Sequence, residues 1–315
     1  MSESPSAIVF RGVVKRFGDA TALRGVNLEV PHGEIFGFLG PNGAGKTTAL
    51  RLLMDFIRPT AGAIEVLGYD ARRQSVEVRR NVGYLPSDPA MYGDMTAREY
   101  LDYITELRGG REDTPYRRAL VAHLQLDEDR KIGALSRGNR QKIGLVQALM
   151  TRPPVVILDE PTTGLDPLMQ DVVADTLKDC VKDGSTVFFS SHLLAEVEQV
   201  CTRVAMLRAG QVVDVIDLAA RRRLAPRRIR ITFVTAPPPH AFDGIEGLRL
   251  GTSKAAEPGR ELAFELRGPV DPLLKRIAQF EVADIDTQEL TLEEVFLSYY
   301  GDGPGSPPGH GRRDE

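Results

Sequence analysis

The chain has 315 residues, a formal net charge of −4 and two cysteines. That length suits one large domain plus a small one, and the acidic balance leaves no basic excess to hold a nucleic-acid backbone, so no nucleic-acid partner is expected. Cys180 and Cys201 fit neither a disulfide framework nor a metal-site spacing and read as reduced cytosolic thiols.

The N-terminus, MSESPSAIVF, lacks a basic stretch leading into an apolar one, so no signal peptide is expected. Apolar runs such as Val155-Val156-Ile157-Leu158 fall far short of the roughly 20 residues that span a bilayer. Any membrane role has to be exercised through a partner. Over residues 8–67, short β-rich runs alternate with turn residues around one Gly-rich loop. Ile35-Phe36-Gly37-Phe38-Leu39 predicts a buried strand entering that loop, and the stretch from Thr47 to Met54 has helical spacing. Residues 88–150 are largely helical and charged, most clearly from Ala97 to Ile104, with Thr96 as N-cap. The run from Val155 to Leu158 predicts an apolar strand. Leu168, Val172, Val173, Leu177 and Cys180 trace one face of a helix whose first turn holds Pro167. Thr186-Val187-Phe188-Phe189 and Val204-Ala205-Met206-Leu207 predict two more buried strands, completing the alternation of a parallel, doubly wound α/β sheet.

Composition changes at Arg221-Arg222-Arg223-Leu224-Ala225-Pro226. This basic run reads as a solvated linker, with docking on anionic lipid as the alternative. Beyond it, residues 228–234 and 261–266 predict strands and 271–280 a helix. Thr291-Leu292-Glu293-Glu294 has the spacing of a capping box opening a last helix, with Leu292, Val295, Phe296 and Tyr299 as its apolar stripe. The expected division is therefore 7–220 for the large domain (helical part about 88–150), 221–227 for the linker, 228–300 for an α+β accessory domain and 301–315 for a Gly/Pro-rich disordered tail.

Gly40-Pro41-Asn42-Gly43-Ala44-Gly45-Lys46-Thr47 fits the phosphate-loop pattern in full, after a strand and before a helix. Glycines let successive N–H groups face one anion, and the helix N-terminus adds partial positive charge. Lys46 can reach the β- and γ-phosphates of a nucleotide, and the Thr47 hydroxyl can ligate Mg²⁺. The strand ending in Asp159-Glu160 would place Asp159 beside the loop to hold Mg²⁺ through water, leaving Glu160 to polarise an attacking water. Alone, a buried strand ending in two carboxylates is commonplace; the phosphate loop gives it meaning.

Leu135-Ser136-Arg137-Gly138-Asn139-Arg140-Gln141-Lys142 lies about 20 residues before that strand and opens a helix. With this segment the chain resembles the ABC ATPase family, whose signature is Leu-Ser-Gly-Gly-Gln. Leu135, Ser136 and Gly138 match, while Arg137 and Asn139 depart from it. The resemblance covers about residues 8–217 in six ordered elements. It implies a P-loop NTPase fold of ABC type: a parallel core sheet, an antiparallel β subdomain and a helical subdomain.

By that resemblance, Phe17 stacks on adenine, with a core Phe as the alternative, and the nucleotide site comprises Gly40, Pro41, Asn42, Gly43, Ala44, Gly45, Lys46, Thr47 and Thr48. Ser136 and the Gly138 N–H touch the γ-phosphate held by the other protomer, Gly164-Leu165-Asp166 form the D-loop that crosses the dimer interface, and His192 contacts the γ-phosphate. Ser87 stands where the family has a Gln ligand of Mg²⁺, which implies an indirect, water-bridged contact. The expected function is ATP hydrolysis with Mg²⁺ as cofactor. The chain is expected to pair with a second copy or another ATPase subunit, beneath separately encoded transmembrane permeases at the cytoplasmic face. The C-terminal segment Leu290-Thr291-Leu292-Glu293-Glu294-Val295-Phe296-Leu297 resembles the extra domain of ABC-2-type exporter ATPases, including the daunorubicin-resistance type.

Three alternatives are weaker. Translation-associated ABC ATPases carry two cassettes per chain, and this chain has one. Chromosome or repair ATPases need a long coiled coil between phosphate loop and signature, and the roughly 90 residues from Lys46 to Ser136 leave no room. A binding module that had lost catalysis would not be expected to keep Glu160 and His192.

Overall fold

Every residue of Ile35–Leu39 is buried, and this segment, β3, runs near the centre of a six-stranded sheet. The computed structural model describes residues 6–110, 114–218, 220, 227–250, 260–266 and 268–289. The basic run at 221–226, the helix expected from Thr291 and the tail at 301–315 lie outside the described residues. The chain divides into two compact units, Met1–Leu218 and Ala219–Glu315.

In the first unit, β1 (Ser6–Phe17) and β2 (Ala20–Pro31) form an antiparallel hairpin. Strands β4 (Ala61–Val66) and β5 (Tyr69–Asp70) extend it into a four-stranded sheet ordered β2-β1-β4-β5. Between β3 and β4 lies α1 (Lys46–Leu53). After α2 (Ser75–Asn81) and β6 (Val82–Leu85) come three helices, α3 (Ala97–Leu107), α4 (Thr114–His123) and α5 (Arg137–Leu149). Then follow β7 (Val155–Asp159), α6 (Pro167–Lys182), β8 (Thr186–Ser191), α7 (Leu194–Val200), β9 (Arg203–Arg208) and β10 (Gln211–Asp217).

The second sheet is ordered β10-β9-β3-β8-β7-β6, parallel except for its β10 edge. Its inner strands are covered on both faces, which is why β3, β7 and β8 read as unbroken buried runs. One core joins both sheets through α1: Ile8, Phe10 and Leu28 meet Leu50, Leu53, Phe36, Phe38 and Phe188. Phe38 and Phe188 have ring centroids 5.3 Å apart.

Helix α3 begins as expected. The Thr96 hydroxyl accepts from the Glu99 N–H at 3.2 Å, and Glu99 accepts from the Thr96 N–H at 2.8 Å. Helix α5 lies against β6, where a side chain at Gly83 would strike the Ala148 carbonyl. The stripe predicted for α6 needs correcting at its start: Leu168 is 79 % exposed, and Met169 takes the buried position with Val173, Ala174, Thr176, Leu177 and Cys180. Met169, Val173, Thr176, Leu177 and Cys180 follow an i, i+4, i+7, i+8, i+11 spacing with Ala174 beside them at i+5, and Leu168 falls off it.

In the second unit, β11 (Arg227–Phe233), β12 (Leu248–Leu250), β13 (Glu261–Leu266) and β14 (Val282–Glu289) form an antiparallel sheet ordered β12-β13-β11-β14. Helix α8 (Asp271–Ile277) is shorter than expected. Ile229, Ile231, Phe233, Phe242, Phe264, Leu266, Leu273 and Ile277 make this unit's own core.

Candidate active site

The carboxyl end of β3 turns into the loop at residues 40–45, and α1 starts at Lys46. Two glycines are there of necessity. A Cβ on Gly40 would collide with the Leu207 carbonyl, and Gly45 combines φ of 111° with a Cβ position 2.7 Å from the Ala22 carbonyl. The Ala44 N–H donates to the Pro41 carbonyl at 3.1 Å, tightening the turn, while Asn42 and Gly43 lie exposed at its tip. Lys46, only 5 % exposed, donates through Nζ to the carbonyls of Gly40 at 2.7 Å and Pro41 at 3.3 Å. Burial pushes its pKa down, and the nearby Glu160 carboxylate opposes that shift. Thr47 and Thr48 are half-buried in the first turn.

Strand β7 delivers Asp159, buried, to the same place. Its Oδ2 accepts from the Thr47 hydroxyl at 2.8 Å and its Oδ1 from the Ser190 hydroxyl at 2.6 Å. Glu160 follows with φ of 50°, a left-handed conformation uncommon for a residue with a long side chain. Its N–H donates to the Ser190 carbonyl at 3.1 Å. Its carboxylate lies 3.5 Å from Lys46 Nζ and 3.1 Å from His192 Nδ1. Strain held by surrounding hydrogen bonds is characteristic of working residues. Lys46, Thr47, Asp159, Glu160 and His192 are thus brought together by the ends of β3, β7 and β8. A loop lined by N–H groups at a helix start, with a lysine and two carboxylates beside it, is suited to binding and cleaving a polyphosphate.

The signature residues form a separate group. Ser136 caps α5, its hydroxyl accepting from the Asn139 N–H at 3.3 Å, and Arg137 is exposed. Gly138 packs on the D-loop so closely that a Cβ would sit 2.5 Å from the Gly164 carbonyl. Leu165 is buried, and Asp166 caps α6 by accepting from the Met169 N–H at 3.0 Å. Phe17 ends β1 with its ring 51 % exposed and Lys15 Nζ 4.7 Å from its centroid, so it is not a core residue. Ser87 lies two residues beyond β6, half-buried, and among the described residues no direct hydrogen bond joins it to Thr47 or Asp159.

Sequence reasoning missed three contributors. Ser190 bridges Asp159 and Glu160. Glu196 accepts from the hydroxyls of Thr162 and Ser191, each at 2.6 Å, joining the segment after Glu160 to the one before His192. Gln141, within the segment read as opening a helix, donates through Nε2 to the Glu160 carbonyl at 3.2 Å. Only the position of Ser190 and Ser191 just before His192 hinted at any of these.

The profile of a family described as ABC transporter matches residues 23–163. The daunorubicin resistance ATP-binding protein DrrA3 of Streptomyces coeruleorubidus is 33 % identical, over 94 % of this chain and 96 % of its own. The Nod factor export ATP-binding protein I of Burkholderia orbicola is 36 % identical, over 67 % of this chain and 70 % of its own. A solved ATP binding subunit of an ABC transporter superimposes with a TM-score of 0.64 at 28 % identity, covering 69 % of this chain and 92 % of that one. The phosphate loop and its carboxylates thus sit in a fold and sequence shared along almost the whole length of a relative, and the chain belongs to the ABC transporter family as an ATP-binding, ATP-hydrolysing subunit.

Proposed function

We propose that this subunit energises an exporter, acting as a nucleotide-sandwiched dimer beneath separately encoded transmembrane permeases at the cytoplasmic face of the membrane. The observation that carries the site assignment is the meeting of Lys46, Thr47, Asp159, Glu160 and His192 at the phosphate loop. Backbone N–H groups of Asn42, Gly43, Gly45, Lys46, Thr47 and Thr48 and the Lys46 ammonium hold the ATP phosphates, and Phe17, exposed beside Lys15, stacks on adenine. Glu160 takes a proton from the attacking water, a role worth roughly 10²–10⁴-fold. His192, bonded to Glu160, faces the γ-phosphate.

The Thr47 hydroxyl and Asp159 carboxylate, 2.8 Å apart, form an all-oxygen pair that suits Mg²⁺, which takes one or two protein ligands and completes its shell with substrate oxygens and water. Bound there, the ion would neutralise charge on the phosphates; Ser87 would reach it through water. Ser136 and Gly138, flanked by Arg137 and Asn139, serve the γ-phosphate of the opposite protomer, and Gly164, Leu165 and Asp166 line the dimer interface. ATP is then interface material, and hydrolysis loosens the pair. We assign residues 7–220 to the ATP-binding domain, with 88–150 as its permease-facing helical part, 221–227 to a linker, 228–300 to an accessory domain and 301–315 to a disordered tail. The names of the relatives, which speak of daunorubicin resistance and Nod factor export, support a hydrophobic or amphiphilic cargo such as a drug or lipid.

The test is Glu160→Gln in the full chain. Turnover should fall at least 10²-fold, ATP binding should persist, and light scattering should show a dimer at saturating Mg-ATP. Normal steady-state hydrolysis would remove Glu160 from this role, and a variant that stays monomeric with and without its permease would sink the sandwich.

A further inference from the structure

The peptide of Glu160 is held from both sides. Its N–H donates to Ser190, at 3.1 Å to the carbonyl and 3.2 Å to the hydroxyl. Its carbonyl accepts from the Thr163 N–H at 3.2 Å, which closes the local turn. A second donor to that carbonyl comes from a different element altogether: the side-chain amide of Gln141, at 3.2 Å, from one turn inside α5. Gln141 is 1 % exposed, the only charged or amide side chain that α5 buries. A buried amide is costly unless bonded, so a side chain that filled the same space without polar atoms would be the cheaper choice if packing alone mattered here.

We infer that Gln141 is a positioning residue for hydrolysis: its amide holds the left-handed peptide of Glu160, and so the aim of the Glu160 carboxylate, while tying that peptide to α5, the helix that Ser136 caps. This deepens the proposed function and rests on Glu160 being the base. Backbone conformation sets where the side chain leaves the chain. At φ of 50° the Glu160 carboxylate lies between Lys46 Nζ at 3.5 Å and His192 Nδ1 at 3.1 Å. Such a conformation relaxes unless its surroundings hold it. The same helix is pressed against the D-loop at Gly138 and Gly164. In a sandwich dimer, Glu160 acts on this protomer's nucleotide and Ser136 on its partner's. Gln141 is therefore a short mechanical link, within one chain, between the two composite sites.

Two variants of the full chain test it. Gln141→Met keeps the volume and removes the donor. Its kcat should fall about fivefold, the worth of one ordinary hydrogen bond, while KM for ATP stays within twofold, because nothing that touches the nucleotide has changed. Gln141→Glu is nearly isosteric but can donate only when protonated, and burial raises the pKa of such a carboxyl. The ratio of its kcat to that of the wild type should climb as pH falls from about 8.5 to about 6, whereas the corresponding ratio for Gln141→Met should stay flat. A purely structural role predicts a lowered melting temperature with the surviving molecules turning over normally and with no pH-dependent recovery. Wild-type kcat in Gln141→Met, or a flat ratio in Gln141→Glu, would overturn the inference while leaving the site assignment standing. Full activity in Glu160→Gln would overturn the assignment itself. Active-site titration with a fluorescent ATP analogue counts the folded molecules, so a poorly folding variant still yields a kcat per competent site.

Discussion

Glycine at position 45 shows how closely a single side chain is specified. Its φ of 111° and the 2.7 Å approach of the Ala22 carbonyl leave no room for a Cβ, so Gly45→Ala has to shift either the loop or β2. It should cost more than about 1 kcal/mol and abolish binding of a fluorescent ATP analogue, and a loop that still bound nucleotide with unchanged affinity would contradict this geometry. At this scale the motif residues were readable because phosphate chemistry demands particular types in a fixed order: glycines, a lysine, a hydroxyl, two carboxylates. Ser190, Glu196 and Gln141 were not, since each acts through a bond to a residue 19 to 34 positions away and carries no local pattern. Phe17 stood open between stacking platform and core; its exposure decides against core.

Among the elements, helix ends obeyed local rules. Thr96 and Glu99 satisfy each other's backbone groups, Asp166 caps α6 and Ser136 caps α5. Thr96→Ala should therefore cost about 1 kcal/mol and lower the melting temperature of the first unit by about 2–4 °C, which scanning calorimetry would read directly; a shift below that range would mean that water replaces the cap. Buried strands were legible from their unbroken apolar runs, as β3, β7 and β8 show. The sequence VADIDTQE of β14 was not, because its acids and amide have low intrinsic strand preference and it is a strand only by pairing with β11. The three-residue β12 is likewise made by β13. Leu168 misled because an apolar residue at the right spacing was taken for the face, when Met169 one step on was the buried one.

For the whole molecule, strand order was the feature no linear pattern revealed. Among the described residues no helix is long and apolar enough to cross a membrane. The sheet places β8 between β3 and β7, so the strand carrying none of the phosphate-loop or carboxylate motifs is the one that sets their spacing. Ser190 reaches Asp159 and Glu160, the Ser191 carbonyl accepts from the Gly40 N–H at 3.3 Å, and His192 meets Glu160. Chains emerge from the ribosome N-terminus first, and parallel pairings between distant segments form late. A nascent polypeptide that has passed residue 160 already owns its glycine loop, its signature and both acids, yet has nothing to seat them in register. Fragments released from arrested translation before Thr186 should fail to retain a nucleotide analogue, and those extended through Leu218 should hold it. Binding by the shorter pieces would mean the wedge between the two strands is dispensable; its absence would place within residues 186–218 the point in synthesis at which an inert string becomes an enzyme.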